Sequence, residues 1–363
     1  MTAVDDRVYV IAEAGVNHNG DLALARKLVE VAVEAGADAV KFQTFRADTL
    51  ATADAPKAGY QKTLTDAGES QFAMLRRLEL SPAAHRELQA LCRTCAVDFL
   101  SSPFDLQSLR FLTGELGLGT IKIPSGEITN GPLLLAAARS AKKLIVSTGM
   151  STLDEVREAL GVLAFGFIRP APAKPSRSAF AAAFADTEGR RAVSERVILL
   201  HCTSQYPAPD DEINLRAMAT LRDAFATPVG LSDHSEGIAV PIAAVALGAR
   251  VVEKHFTTDR ALPGPDHRAS LEPGELAAMI AAIRSVERAM GNGVKAPTAS
   301  EADTAQVARR SLAAITAIGA GSTFSEANLG TLRPGTGISP MEYWDRLGQV
   351  AACGAAAGSL LPR

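Results

Sequence analysis

The chain has 363 residues, 37 Lys plus Arg against 40 Asp plus Glu, a formal net charge of −3 and 47% hydrophobic residues. At roughly 100–200 residues per domain, this length allows two domains or one large barrel with an appendage. The near-neutral balance excludes the basic footprint that neutralises a nucleic-acid backbone and the polybasic stretch that docks on an anionic membrane, so neither is expected as a partner.

Met1 to Arg7 carry two aspartates and no apolar run, unlike a signal peptide. Short apolar, β-branched runs then alternate with amphipathic stretches. Strands are expected at 8–15, 37–43, 97–102, 120–126, 143–149, 197–203, 228–233 and 250–256, and helices near 21–35, 82–96, 105–116, 130–141, 152–164, 214–225, 237–248 and 273–290. Eight such repeats point to an α/β fold, a (β/α)8 TIM barrel over 1–290. An open doubly wound sheet is the alternative, but no GxGxxG fingerprint follows the first strand. The longest apolar stretches, Leu133 to Ala138 and Ile238 to Ala249, fall short of the roughly 18 residues a membrane span needs.

Two segments break the rhythm. Three prolines and a polar, helix-like tail at 169–190 suggest a surface excursion, with a lid as the alternative. After 291–304, which reads as a linker, residues 305–363 have short runs, frequent glycines and no long amphipathic helix, as expected of a separate small domain. Four cysteines are too few for a disulfide scaffold and suit a cytoplasmic location. Cys92 and Cys95 have no second pair and read as small apolar residues of a helix.

A barrel's active site lies at the C-terminal ends of its strands. There the chain places Glu13; Lys41 and Gln43; Ser101 and Ser102; Lys122 and Ser125; Ser147 and Thr148; His201 and Thr203; Ser232, Asp233 and His234; and Glu253, Lys254 and His255. Such a polar ring is costly to bury unless it converges on a ligand. Histidines 18, 201, 234, 255 and 267 lie at or just beyond strand ends, whereas His85 sits on a helix and reads as structural. His234 and His255 end neighbouring strands and could share one divalent ion, or could be hydrogen-bonding or acid/base histidines. Lys41 and Lys122, with several serines around them, suit a small substrate carrying a phosphate and a carboxylate. Either lysine could instead form a Schiff base, or simply be ion-paired.

At these residues the sequence resembles the sialic acid synthase family. "IAEAGVNHNGDL", "VKFQTF", "FLSSPFD", "IKIPSGEITN", "VSTGM", "LLHCTSQYP", "GLSDHSEG", "VALGARVVEKHFT" and "PGPDHRASLEP" follow the family's order, and "RPGTGISP" resembles the signature loop of its C-terminal antifreeze-like (SAF) domain. The resemblance implies condensation of phosphoenolpyruvate with an open-chain, N-acetylated mannose-type sugar in a manganese-dependent site, releasing phosphate. It implies His234 and His255 as metal ligands, and Lys41, Lys122, Ser102, Ser125, Ser147 and Ser232 as the phosphoenolpyruvate cradle. Gln43, Tyr206, Glu253 and Asp266 would face the acceptor sugar, with Glu13 at the reacting carbon. Arg333 would be inserted into the partner's barrel in a domain-swapped homodimer. Ser204 stands where many neuraminate synthases have asparagine. The expected activity is of the N-acetylneuraminate synthase type. The alternative is an N,N'-diacetyllegionaminate synthase using 2,4-diacetamido-2,4,6-trideoxymannose, and a Schiff-base pyruvate aldolase is more remote. Arg309 and Arg310 fall where the two domains would meet.

Overall fold

Residues 7–65, 68–170 and 172–362 are described by the structure, a computed structural model. The N-terminal stretch 1–6, expected to lack a leader, lies outside them. Two compact units divide the chain, Met1–Gly291 and Asn292–Arg363.

The first unit alternates strands and helices. It runs β1 (Tyr9–Gly15), α1 (Leu22–Ala35), β2 (Ala39–Thr44), α2 (Ala47–Leu50), α3 (Gly59–Leu64), α4 (Gln71–Leu78), α5 (Pro82–Thr94), β3 (Asp98–Pro103) and α6 (Leu106–Arg110). It continues through β4 (Thr120–Ile123), α7 (Gly131–Ser140), β5 (Lys143–Ser147), α8 (Leu153–Ile168), α9 (Arg177–Ala185), α10 (Thr187–Arg196), β6 (Val197–Cys202), α11 (Ala217–Phe225), β7 (Val229–Asp233), α12 (Ala239–Ala246), β8 (Val251–His255) and α13 (Pro273–Met290). Local chemistry sets many boundaries. Asp21 caps α1 and left-handed Gly36 ends it, Ser81 followed by Pro82 opens α5, and the Thr152/Glu155 capping box opens α8.

All neighbouring strands are parallel, in the order β3-β2-β1-β8-β7-β6-β5-β4. The end strands β3 and β4 pack against each other, so the sheet forms a near-closed α/β barrel. Strand residues facing outward join the large core under the helices, while Ile11, Ala39, Leu100, Ile145, Leu200 and Val251 form a separate cluster. Ile11 and Leu200 are each two residues, or one pleat repeat, below a position at the C-terminal rim, so the barrel is plugged beneath its mouth rather than open through it.

Three segments refine or depart from the sequence reading. Between β2 and α5, where no helix was expected, α2, α3 and α4 fold over the rim. The 169–190 insert is not a lid. It forms α9 and α10, which pack on α8 through the edge-on Phe165–Phe180 contact and buried Ala183 and Val193. α10 leads directly into the first residue of β6, whereas α9 starts at Arg177, which pairs with Glu158 in the second turn of α8 at 2.7 Å, so the insert lies along the outer side of α8. The expected helix at 105–116 divides into α6 and a π-helical turn, Phe111–Glu115.

The second unit holds α14 (Ala302–Ala308), the antiparallel pair β9 (Ser311–Ala314) and β10 (Leu329–Leu332), and α15 (Tyr343–Arg346). Leu312, Ala314, Ile318, Leu329, Ile338, Ala351 and Leu361 make its own small core. Arg310 donates to the Thr331 carbonyl at 3.0 Å and so braces this sheet, while Arg309 is exposed. Among the described residues no helix is long and apolar enough to cross a membrane.

Candidate active site

Strand alternation sorts the ring of strand-end residues into two sets. On β7 and β8, Ser232, His234, Glu253 and His255 face the mouth, whereas Asp233 and Lys254 face outward and pair with each other at 2.5 Å, fully buried. Lys254 also donates to the Ser235 carbonyl. The same rule turns Ser101 away, to bond Thr44 and the Phe42 carbonyl, and leaves Ser102 facing in. Thr148, His201 and Thr203 bond the carbonyls of Leu200, Ile213 and Glu212, so they fasten loops. His18 accepts from the Gly20 amide and His267 bonds Thr257 at 2.7 Å; burial pushes both rings below the usual histidine range. His85 is buried between Thr44 and the Ser81 carbonyl, as a structural histidine should be.

The inward set meets in one cleft of about 440 Å³. Glu13, Lys41, Gln43, Ser102, Lys122, Ser125, Ser147, Ser204, Tyr206, Ser232, His234, Glu253, His255 and Asp266 all line it. Arg333 belongs to the second unit, where it is exposed on the loop after β10.

A buried charge network forms the floor. Lys41 Nζ lies 2.7 Å from Glu13 Oε1 and 3.7 Å from Glu253 Oε2, and donates to Ser102 Oγ at 3.2 Å. Lys122 Nζ is 3.4 Å from Glu253 Oε1, to which Ser232 also donates at 2.8 Å. Both lysines are therefore ion-paired and also line the cleft. Burial pushes the Glu13 carboxyl up to about 7, because Lys41 offsets only part of it and Glu253 adds to it. Burial opposes ionisation of Glu253 as well, but Lys122 and Lys41 outweigh it and hold that carboxyl down to about 2. Burial also works against Lys41, whose two carboxylate partners nonetheless hold its ammonium above the usual lysine range. Lys122, which Glu253 compensates only in part, is pushed below it. Two adjacent carboxyls driven apart in this way can do different work at one pH.

The histidines sit at the side of this network, ring centroids 5.4 Å apart. His234 Nδ1 is 2.7 Å from the Thr203 carbonyl, so in the neutral ring Nδ1 carries the proton and Nε2 the lone pair. Tyr206 packs on the His234 ring at 4.1 Å between centroids. Burial and His234 push His255 well below the usual range, which keeps it neutral, and its Nδ1 is buried without a hydrogen-bond partner. Asp266, pushed up to about 6 by burial, has Oδ2 4.0 Å from that nitrogen. Glu13 Oε2, Ser147 Oγ and Glu253 Oε2 are also buried without a hydrogen bond, so orphaned polar atoms collect where a ligand would satisfy them. Among the described residues no three His, Cys, Asp or Glu groups are spaced to hold a metal. The two imidazoles fit a divalent ion whose other positions are filled by water or substrate oxygens.

Sequence reading missed one side of the cleft. Leu50, Gln61, Gln71, Met74, Leu75 and Leu78, from α2, α3 and α4, line it, as do Phe104, Glu127 and Met150. A usable signal was present in "ESQFAMLRRLEL", where Ser70 caps α4 and apolar residues recur at 74, 75 and 78.

The NeuB family model matches residues 28–295. The chain is similar to the N,N'-diacetyllegionaminic acid synthase of Campylobacter jejuni subsp. jejuni serotype O:2, with 48% identity over 95% of this chain and 96% of the relative. With the synthase of the same name from Legionella pneumophila subsp. pneumophila it shares 45% identity, over 97% and 93%. Among solved structures, the N-acetylneuraminic acid (sialic acid) synthetase of Leptospira borgpetersenii serovar Hardjo-bovis, in complex with citrate, matches at 32% identity and a TM-score of 0.65, covering 82% of this chain and 90% of that one.

Proposed function

Since the chain belongs to the NeuB family, that of the sialic acid synthases, we propose that it condenses phosphoenolpyruvate with open-chain 2,4-diacetamido-2,4,6-trideoxymannose, giving N,N'-diacetyllegionaminic acid and inorganic phosphate. The enzyme is a transferase. The N-acetylneuraminate type expected first gives way to the alternative, because the legionaminic acid synthases match at 48% and 45% over 93–97% of the chains against 32% for the neuraminic acid synthetase. The observation that carries the reaction is the convergence of the motif residues on one buried, charge-paired cleft.

In this reading Lys41 and Lys122, with Ser102, Ser125, Ser147 and Ser232, hold the phosphate and carboxylate of phosphoenolpyruvate, exchanging part of their pairing with Glu13 and Glu253 for the ligand. Gln43, Tyr206, Glu253 and Asp266 face the acceptor, and Ser204 stands at the phosphoenolpyruvate side. His234 and His255 would hold a manganese ion, whose chemistry when bound is to polarise the acceptor's aldehyde oxygen. The methylene carbon of phosphoenolpyruvate bonds to the aldehyde carbon, and the aldehyde oxygen receives the proton that Glu13 takes from the attacking water. The enol carbon becomes cationic beside the Glu13 carboxylate, which stabilises it and takes a proton from the attacking water. Water oxygen bonds to that carbon, the carbon–oxygen bond to phosphate breaks, and the new hydroxyl passes its remaining proton to the departing phosphate as it becomes the 2-keto oxygen. The second unit is read as an antifreeze-like (SAF) domain, and Arg333 of the partner subunit completes the acceptor site in a cytoplasmic homodimer.

Gly149 tests the cradle. Its amide donates to Ser125 Oγ at 3.0 Å, and a Cβ there would stand 2.3 Å from Ser204 Oγ and 2.8 Å from Ser125 Oγ. Gly149→Ala should displace both hydroxyls and weaken phosphoenolpyruvate binding about tenfold or more, measured by calorimetry.

The reaction is tested by phosphate release from phosphoenolpyruvate, using metal-stripped protein refilled with manganese. Release should be strongly preferred with 2,4-diacetamido-2,4,6-trideoxymannose over N-acetylmannosamine, and release with neither would refute the proposal. The depressed Lys122 ammonium supports a second reading, a pyruvate Schiff base. Borohydride with pyruvate would trap that adduct at Lys122 and should leave this enzyme unmodified.

A further inference from the structure

The cleft has two chemically distinct walls. The strand-end wall is densely ionic, whereas the described residues between β2 and α5 that line the cleft are uncharged: Leu50, Ala58, Gln61, Gln71, Met74, Leu75 and Leu78. That segment is itself rich in charge, and several of its charges pair with one another. Lys57 and Arg77 both reach Glu69 Oε1, at 3.0 and 2.7 Å, and Arg46 pairs with Asp48 at 2.8 Å. Beneath the wall Val16, Phe45, Met74 and Leu78 form an apolar cluster separate from the barrel core, with Leu50, Leu75 and Phe104 packed against it and only partly buried. An isolated apolar cluster at the rim of an ionic cleft gains stability only in proportion to the apolar surface that covers it. The part-buried members leave such surface facing the cavity.

An open-chain acceptor fixed by its aldehyde carbon at the strand ends extends its far carbons toward the rim, where this wall stands. Resting on the acceptor reading above, we infer that Leu50 and Leu75, together with Gln71, form the specificity wall that receives the 6-methyl and 4-acetamido groups of the sugar. The methyl packs on the aliphatic side chains, and the carboxamide of Gln71 hydrogen-bonds the second acetamide. A 6-hydroxyl would lose its water there without gaining a partner.

Three acceptors separate the contributions: 2,4-diacetamido-2,4,6-trideoxymannose, 2-acetamido-2,6-dideoxymannose and N-acetylmannosamine. The last two differ only at carbon 6. Leu75→Asn should lower the ratio of kcat/KM for the 6-deoxy over the 6-hydroxy monoacetamido sugar about tenfold, mainly through KM, and Leu75→Met should preserve it. Leu50→Asn, on a different helix, should act in the same direction and guards against a folding defect in the first variant. Gln71→Leu should lower the ratio of diacetamido over monoacetamido 6-deoxy sugar about tenfold. Unchanged ratios in all three polar and apolar exchanges, with a wild type that turns the acceptors over, would overturn the wall and leave the reaction standing. Phosphate release with none of the three acceptors by the wild type would refute the acceptor reading, and this inference with it.

Discussion

Replacing Glu13 with glutamine should lower kcat/KM by about 10²–10⁴-fold and abolish the acid limb of its pH profile. Burial holds this carboxyl up to about 7, while Glu253 beside it is held down to about 2 by Lys122 and Lys41. The proposed chemistry uses the ionised form of Glu13, against the cationic carbon and the attacking water. The wild-type kcat/KM should therefore climb with pH until about 7 and level off above it, falling about tenfold per unit on the acid side. Glutamine keeps the shape and the dipole but neither the charge nor the proton acceptor, so its residual rate should be flat over the same interval. An acid limb that survives near 7 in Glu13→Gln would assign it to another group. Activity within a few-fold of wild type would remove Glu13 from the chemistry.

The second large effect concerns the histidines. His255→Ala should weaken manganese binding by at least about a hundredfold, followed by electron paramagnetic resonance during titration, and should abolish phosphate release. His255 is neutral and carries a buried ring nitrogen without a partner, and His234 is oriented by its bond to the Thr203 carbonyl with Nε2 left as a donor to metal. With so few protein ligands, loss of either imidazole removes a large share of the binding. Chelation should silence the wild type and manganese should restore it. Unaltered manganese affinity in both His234→Ala and His255→Ala would place the ion away from these rings.

The barrel was legible because its strands are apolar, β-branched runs bounded by turn residues, and each was located to within a few residues: 197–203 against Val197–Cys202, and 250–256 against Val251–His255. The inward residues were legible for a related reason. A polar side chain at a strand end that must not face an apolar helix has only the mouth to face. The same reading overreached at Asp233, Lys254 and Ser101, whose neighbours compensate them outside the barrel, a long-range pairing that spacing along one strand does not reveal. It missed α2 to α4 because helices of four, six and eight residues carry too few turns for a period to emerge, and "TADAPKAGY" resembles any polar loop. Composition placed the 169–190 insert on the surface, but only contacts such as that of Phe180 with Phe165 show that it packs along α8.

The alternation on β7 and β8 has a consequence for how this enzyme can change over time. Ser232 and His234 flank Asp233, and Glu253 and His255 flank Lys254, so each inward pair is braced from behind by the buried Asp233–Lys254 bond. A side chain in either strand can be exchanged for another at a graded cost. Gain or loss of one residue there would instead turn Lys254 or Asp233 into the cleft and the imidazoles out under the helices, destroying brace and site together. Descendants of this gene can therefore drift in residue identity along the rim and in the length of the outer loops, while the spacing within these two strands is closed to insertion and deletion.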